Sequence, residues 1–452
     1  MLYWIYHPSD MMNNKLIAII AVAIIVVAGC SVIFLSGGDT DEKRIDTNEV
    51  AAVYGNANND YAVDQLDVDL LQNIADKKAT WDKVSQPLAD ADQDGVITQS
   101  DVDVVKKILN NEKCQVYYHN YFGEAQKLNY PVDTSRIAVT YWQQAEEVGI
   151  LGLWDNVVCA NASVDGRDNL YDMSNVTFMG KASGSALDSE QVQLMLEKDV
   201  TLIIGSAYDS VRTYADPLAS QGVQTIYLWH AGDYCISTLL TMGVLCDKEA
   251  NAEKFLRYWT DLEAALEEKV PADGRPSVVI VMNHKDEDNY IKSYGGIFTS
   301  VNDPAGEWIL INKLADVFTA DVTGSKSLGR NYYGIDWFIE NPFDYMVVMG
   351  SGTGATNQAE YDAWFETIAK KYYSQTEEYK NGNILGTTYS FGGFSAYSLM
   401  PILAWMLYPD QFSYEEALEL RQYYYDEFVP LKPDCTTIPM YYLGSGYDAS
   451  YL

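Results

Sequence analysis

Basic residues are scarce in this chain: 30 Lys and Arg stand against 64 Asp and Glu, a net charge of -34 over 452 residues. So acidic a chain is repelled by nucleic acid and by anionic membrane surfaces, so neither is expected as a partner. The charge suits an extracellular protein in which some carboxylates hold calcium. Cysteine is sparse too, with six residues and no Cys-x-x-Cys pair, which argues against a disulfide scaffold. Cys235 and Cys246 are nearest in sequence and could bridge, or could remain buried thiols. No Gly-x-Ser-x-Gly, His-Glu-x-x-His or Walker loop occurs, so the usual hydrolase and nucleotide signatures are missing. The length allows two or three domains.

The acids that are present are organised. Asp90, Asp92, Asp94, Gly95, Val96, Thr98 and Asp101 fall at positions 1, 3, 5, 6, 7, 9 and 12 of a twelve-residue loop. Calcium takes six to eight hard oxygens; a tight loop turns alternate residues inward, position 7 offers its carbonyl, and glycine serves the sharp turn. A first copy lies 34 residues earlier, with Asn56, Asn58, Asp60, Ala62, Asp64 and Asp67 at positions 1, 3, 5, 7, 9 and 12. Tyr61 replaces its turn glycine and Asn56 replaces a carboxylate. Two calcium (Ca2+) sites are therefore expected, the second stronger. Each loop leads into an apolar stretch of helical spacing, Val68, Leu70, Leu71 and Ile74, then Val104, Val105, Ile108 and Leu109. This duplicated loop-helix resembles a type I dockerin over residues 51–113, a small all-α calcium-binding domain. The resemblance implies a cohesin-like protein as partner, met through loop positions 10 and 11, here Gln65-Leu66 and Gln99-Ser100. Those pairs differ, so binding in two orientations is not assured.

Leu16 to Leu35 is one apolar run of 20 residues, long enough to span a bilayer. Val27-Ala28-Gly29-Cys30 also reads as a lipobox, which would leave a lipid on Cys30. Continued apolarity after Cys30 favours an uncleaved helix. Either anchor, over residues 1–35, puts the rest on the extracellular face of the cell membrane. Met11 or Met12 is a candidate start, because residues 1–10 do not look like a signal n-region. Residues 36–50 read as a polar tether. Asn161-Ala-Ser163 and Asn175-Val-Thr177 are acceptor sequons for any surface glycan.

From Cys114 the pattern changes. Val116-Tyr117-Tyr118 and Lys127-Leu128-Asn129-Tyr130 flank Phe122-Gly123-Glu124, a predicted hairpin. Strands at Ile137–Thr140, Val157–Ala160, Thr201–Gly205 and Thr225–Leu228 then alternate with helices at Gln143–Val148, Ser189–Leu196 and Val211–Ala219. Such alternation implies a parallel sheet covered on both faces. The longest helix runs Lys248–Lys269 with Phe255, Leu256, Trp259, Leu262, Ala265 and Leu266 at helical spacing. After Pro271 the alternation restarts, with strands at Val278–Met282 and Tyr345–Gly350 and helices near Trp308–Leu314 and Trp337–Glu340. Helices at Ser398–Leu407 and Tyr414–Glu427 close the chain. The expected fold class is α/β: two Rossmann-like lobes, 114–245 and 271–452, joined by an interdomain helix at 246–270.

The order of these pieces resembles the substrate-binding proteins of iron-siderophore, haem and cobalamin ABC importers, over residues 115–445. Its carriers are Arg136-Ile137-Ala138-Val139 and Leu196-Glu197-Lys198-Asp199-Val200-Thr201-Leu202-Ile203-Ile204-Gly205, with Lys198 where the family usually has proline. Gln221-Gly222-Val223-Gln224-Thr225-Ile226, Asn341-Pro342-Phe343-Asp344-Tyr345-Met346 and the closing Leu403-Ala404-Trp405-Met406-Leu407-Tyr408-Pro409 add to it. The resemblance implies a receptor that closes only slightly around a bulky metal chelate, and an ABC permease docked through one carboxylate on each lobe. Asp209 and Asp336 are the nearest matches, as Asp where the family prefers Glu.

In open α/β sheets ligands meet residues just past the strand ends. Those are Tyr141, Trp142, Ser206, Tyr208, Trp229 and His230 in the first lobe. In the second they are Asn283, His284, Ser351 and the turn from Tyr389 and Phe391 to Phe394. Aromatic tips suit a flat or organic-clad metal complex; ordinary packing is the bland reading for half of them. His230 or His284 could ligate a bound metal, or both could simply hydrogen-bond. A solute receptor, not an enzyme, is the expectation. An extracellular adhesion protein and a glycan-degrading enzyme with paired carboxylates are the alternatives.

Overall fold

The computed structural model describes residues 44–180, 187–205, 209–230, 234–283, 296–298, 308–318, 330–332, 335–350, 358–388, 393–438 and 441–443. Almost all of them lie in one compact unit, Thr47–Leu452. The apolar run 16–35 and Cys30 lie outside the described residues. No helix among the described residues is long and apolar enough to cross a membrane.

Two helices, α1 (Gln65–Ala75) and α2 (Gln99–Leu109), begin at position 10 of their loops. Asp64 and Thr98, at position 9, cap them by accepting from Leu66 N at 2.7 Å and Ser100 N at 3.2 Å. Val68, Leu71 and Ile74 of α1 and Val102, Val105 and Ile108 of α2 form the buried stripes. The α2 stripe is thus shifted from the expected set, and Leu109 faces solvent.

This loop-helix pair is stitched to the rest of the unit from both sides. Val53 bridges to Tyr118 of β1 (Cys114–His119), which pairs antiparallel with β2 (Ala125–Tyr130). Tyr54 N donates to Tyr117 O at 2.9 Å, His119 N to Ala52 O at 2.8 Å, and the Tyr130 hydroxyl to Ile108 O at 3.2 Å. Ahead of the first loop, Val50 N donates to Ser237 Oγ at 3.2 Å and Ala52 N to Thr241 Oγ1 at 2.8 Å.

The first sheet is built from β3 (Ile137–Val139), β4 (Val157–Asn161), β5 (Thr177–Met179), β6 (Leu202–Gly205) and β7 (Gln224–Tyr227). Its order is β5-β4-β3-β6-β7 and every pairing is parallel. Helices α3 (Trp142–Ile150), α4 (Ser189–Glu197) and α5 (Asp209–Ala215) make the crossovers. Ile137, Ala138, Val139, Leu202, Ile203 and Ile204 are all fully buried, as a doubly covered parallel sheet requires. The hairpin shields the open edge of β7: Gln126 Nε2 donates to Thr225 O at 2.8 Å and Tyr121 N to Tyr227 O at 3.1 Å.

Helix α6 (Tyr234–Leu245) is buried on nearly every side, so it carries no amphipathic period for sequence reading to find. Cys235, near its start, and Cys246, just past its end, do not form a disulfide. They stand eleven positions apart, about 16 Å of helix at about 1.5 Å per residue, beyond disulfide reach. The long helix α7 (Glu249–Lys269) follows, with Phe255 ringed by Phe394, Tyr397, Tyr424 and Phe428 at 5.0–6.4 Å.

The second sheet contains β8 (Ser277–Asn283), β9 (Gly296–Phe298), β10 (Asp316–Val317), β11 (Arg330–Tyr332), β12 (Tyr345–Gly350), β13 (Ile384–Thr388) and β14 (Tyr441–Leu443). The order is β11-β9-β8-β12-β13-β14, with β10 also on β8. Its centre, β8-β12-β13, is parallel, but β9, β11 and β14 pair antiparallel. The second half is therefore mixed, where a second Rossmann-like lobe similar to the first was expected. Helices α8 (Trp308–Asn312), α9 (Ile335–Glu340), α10 (Gln358–Tyr373), α11 (Ser395–Leu407) and α12 (Tyr414–Phe428) accompany it. Among the described residues the two sheets share no strand pairing.

Candidate functional site

The two loops share one hydrogen-bond scaffold. Position 1 accepts from the N–H of position 5 in each, Asp60 N to Asn56 Oδ1 at 3.1 Å and Asp94 N to Asp90 Oδ1 at 3.2 Å. Position 5 accepts from position 7, Ala62 N to Asp60 at 3.0 Å and Val96 N to Asp94 at 2.9 Å. Asp67 takes N–H groups of Ala57, Asn58 and Asp64 at 2.7, 3.1 and 2.8 Å, and Asp101 those of Ala91, Asp92 and Thr98 at 2.8, 3.3 and 2.8 Å. Both are fully buried.

Burial pushes the Asp67 carboxyl up to about 6 against those N–H groups. Asp101 and Asp90 are also held above the usual range, by burial first and by neighbouring carboxylates after it. In the second loop, one oxygen each of Asp90, Asp92 and Asp94 lie within 4.8 Å of one another. Three hard oxygens at that spacing fit calcium, with Thr98, Asp101 and the Val96 carbonyl to complete the set. The first loop puts amides where the second has acids: buried Asn56 donates through Nδ2 to Ala51 O at 2.8 Å and Asp60 O at 2.6 Å. Gly95 sits at φ +94, whereas Tyr61 at the same position is not in the positive-φ region.

The other candidates gather at strand ends. Tyr141 and Trp142 follow β3, Trp229 and His230 follow β7, and these strands flank β6 in parallel register. In the second sheet Asn283 is level with Gly350, which is level with Thr388. Ser206, Tyr208, His284, Ser351, Tyr389 and Phe391 lie outside the described residues. The segment that follows β13 touches the helix that follows β3. Ser395 N, at the start of α11, donates to the Glu146 carboxylate of α3 at 3.2 Å. A Cβ at Gly393 would run into that carboxylate and the Trp142 ring, whose Cζ3 is 2.9 Å away. Only glycine permits this approach.

Trp142 is itself buried, with the Arg167 guanidinium 4.8 Å over its ring. Arg167 also lies 3.8 Å from Glu146. Burial raises the Glu146 carboxyl, and Arg167 and the Ser395 N–H oppose it. The next residue, Glu147, turns about 100° around the helix and reaches His230. Its Oε2 is 2.5 Å from His230 Nδ1, and both side chains are buried. The pair is a close charge contact: neither ring nitrogen of His230 and neither Glu147 carboxylate oxygen has a hydrogen-bond partner among the described residues. Sequence reading missed Glu146, Glu147 and Arg167, because two adjacent glutamates on a helix look like a solvated face. It missed Tyr121 as well, whose ring stacks on Trp229 at 5.3 Å and 25°.

Asp209 opens α5 and Asp336 is exposed on α9. Of the sequons, Asn175 is exposed, whereas Asn161 is buried and accepts from Ser163 N at 2.8 Å, so a glycan has access only to the former.

No protein-family profile matches the chain, and no curated protein sequence does. Solved structures do match. A TroA-like periplasmic binding protein, FepB of Veillonella parvula, aligns at a TM-score of 0.52 and 17% identity, over 70% of this chain and 96% of its own. CeuE of Helicobacter pylori, in a complex with nickel and histidine, gives 0.52 and 14%, over 70% and 96%. A periplasmic solute binding protein of Veillonella parvula gives 0.51 and 14%, over 70% and 93%. The chain therefore has the two-lobed fold of TroA-like periplasmic binding proteins.

Proposed function

We propose that this chain is a cell-surface solute-binding receptor of an ABC importer, taking a metal chelate such as a ferric siderophore, haem or cobalamin. One observation carries the reading: segments that follow strands of two separate sheets touch, Gly393 and Ser395 meeting Trp142 and Glu146. Ligands of open α/β sheets collect just past strand ends. Nickel and histidine in the Helicobacter protein support a metal complex as the class of ligand. With the Glu147 carboxylate 2.5 Å from Nδ1, Nε2 is the nitrogen with which His230 would meet a metal, since a carboxylate beside one ring nitrogen orients the other. An enzymatic role is not part of the proposal.

The chain would be held at the extracellular face of the membrane by an N-terminal helix or a lipid on Cys30. Asp209 and Asp336 would meet the permease. The 51–113 segment would act as a dockerin-like calcium module, with Gln65, Leu66, Gln99 and Ser100 toward a cohesin-like protein; all four are exposed. Calcium would supply positive charge that offsets the converging carboxylates of the second loop and, more weakly, the first.

Titration of the whole protein with haemin, cyanocobalamin and ferric siderophores, followed by tryptophan fluorescence, tests the receptor reading. Saturable quenching by at least one is expected, through Trp229. Silence with all of them removes the proposal.

A further inference from the structure

The hairpin between β1 and β2, which shields the edge of β7, ends in an aromatic tip. Tyr121 is 46% exposed, yet it is held firmly. Its N–H donates to Tyr227 O at 3.1 Å, and its ring stacks on Trp229 at 5.3 Å. The next residue, Phe122, packs edge-on against Tyr227 at 5.8 Å, under the Arg212 guanidinium at 4.9 Å. Arg212 in turn pairs with Glu124 at 2.8 Å. The turn closes on itself, Gly123 N to Asn120 O and Glu124 N to Asn120 Oδ1, both at 3.0 Å. Tying down a loop this thoroughly costs conformational entropy, and what it holds in place is a half-exposed aromatic ring beside the carboxyl end of β7. His230, whose Nδ1 lies 2.5 Å from the Glu147 carboxylate, is the next residue after Trp229.

We infer that Tyr121, prebuilt on this hairpin and backed by the stacked Trp229 ring, forms an aromatic wall whose outer face takes the flat conjugated face of the ligand. The inference rests on the receptor reading and narrows it to chelates with a π-face, such as a tetrapyrrole, over chelates clad only in saturated chain. Aromatic surfaces favour offset stacking at 4.5–7 Å, and a ring already ordered loses little freedom when a second surface is laid against it.

The test compares the wild-type chain with Tyr121→Ala, Tyr121→Leu and Tyr121→Phe, using haemin as the π-faced probe and ferrichrome as the saturated control. Tyr121→Ala and Tyr121→Leu should weaken binding of a π-faced probe about 3- to 10-fold, while Tyr121→Phe keeps it. Thermal melts establish that each variant is folded, and Leu keeps apolar bulk at the tip if Ala does not fold. Unchanged affinity in Ala and Leu variants overturns the wall and leaves the receptor reading standing, as does wild-type binding of ferrichrome alone. No binding of any probe by wild type removes the receptor reading and the wall with it.

Discussion

Asn56 and Asp90 occupy the same place in two loops whose backbones are fastened by the same five hydrogen bonds to side chains. The loops also share a left-handed residue at position 4, Asn59 at φ 57 and Gln93 at φ 60. They part at positions 1, 3 and 6. Asn56 fills its loop with its own amide hydrogens, donating to two carbonyls, so that donor charge is already supplied from within. Asp90 cannot donate, and its loop presents three acids to one point. The comparison separates two jobs that the repeat performs: the aspartate at position 12 builds the loop, and the acids at 1, 3 and 5 create the demand for a cation.

The largest effect should come from the shared job. Asp67→Ala and Asp101→Ala each strand three backbone N–H groups, at about 1–3 kcal/mol for each buried donor. Both should lose about 3 kcal/mol or more, by similar amounts, in urea melts with chelator present. A cost below about 1 kcal/mol for Asp67→Ala would mean that the loops are not built alike. A somewhat smaller effect distinguishes them. Calcium at a hundred times its Kd should stabilise the wild type by about 2.7 kcal/mol. The Asp92→Asn, Asp94→Asn double variant should lose most of that, and Asn58→Ala little. Equal loss from both, read by thermal shift with and without calcium, would erase the distinction. The smallest effect sharpens the turn. Gly95→Ala meets nothing within 4 Å, so its cost is purely that of φ +94, about 1 kcal/mol. A neutral result would mean that the loop relaxes there as it does at Tyr61.

Much of the fold was legible because its signals are local. The strands at Ile137 and Leu202 are continuous apolar runs, and α7 shows its stripe through Phe255, Trp259, Leu262 and Leu266. Helix α6 was not legible, since residues buried on all sides leave no period. The antiparallel strands β9, β11 and β14 are three residues each, too short to signal themselves. Candidate residues at strand ends could be named, because topology alone puts them there. Their surroundings could not. Trp142, named as a ligand contact from its place after a strand, lies under Arg167 and against Gly393.

Spacing within the chain was enough to specify the loop-helix repeat, the alternation of strands and helices, and the long helix. Each depends on residues close in sequence that share one dihedral pattern or one helical face. Tertiary structure alone decided that adjacent Glu146 and Glu147 turn to different partners, 249 and 83 residues away. It also decided that a hairpin tip reaches Trp229, 108 residues further on. Whether a carboxylate is solvated or buried depends on what packs over it, and those atoms come from chain segments whose positions no local pattern records.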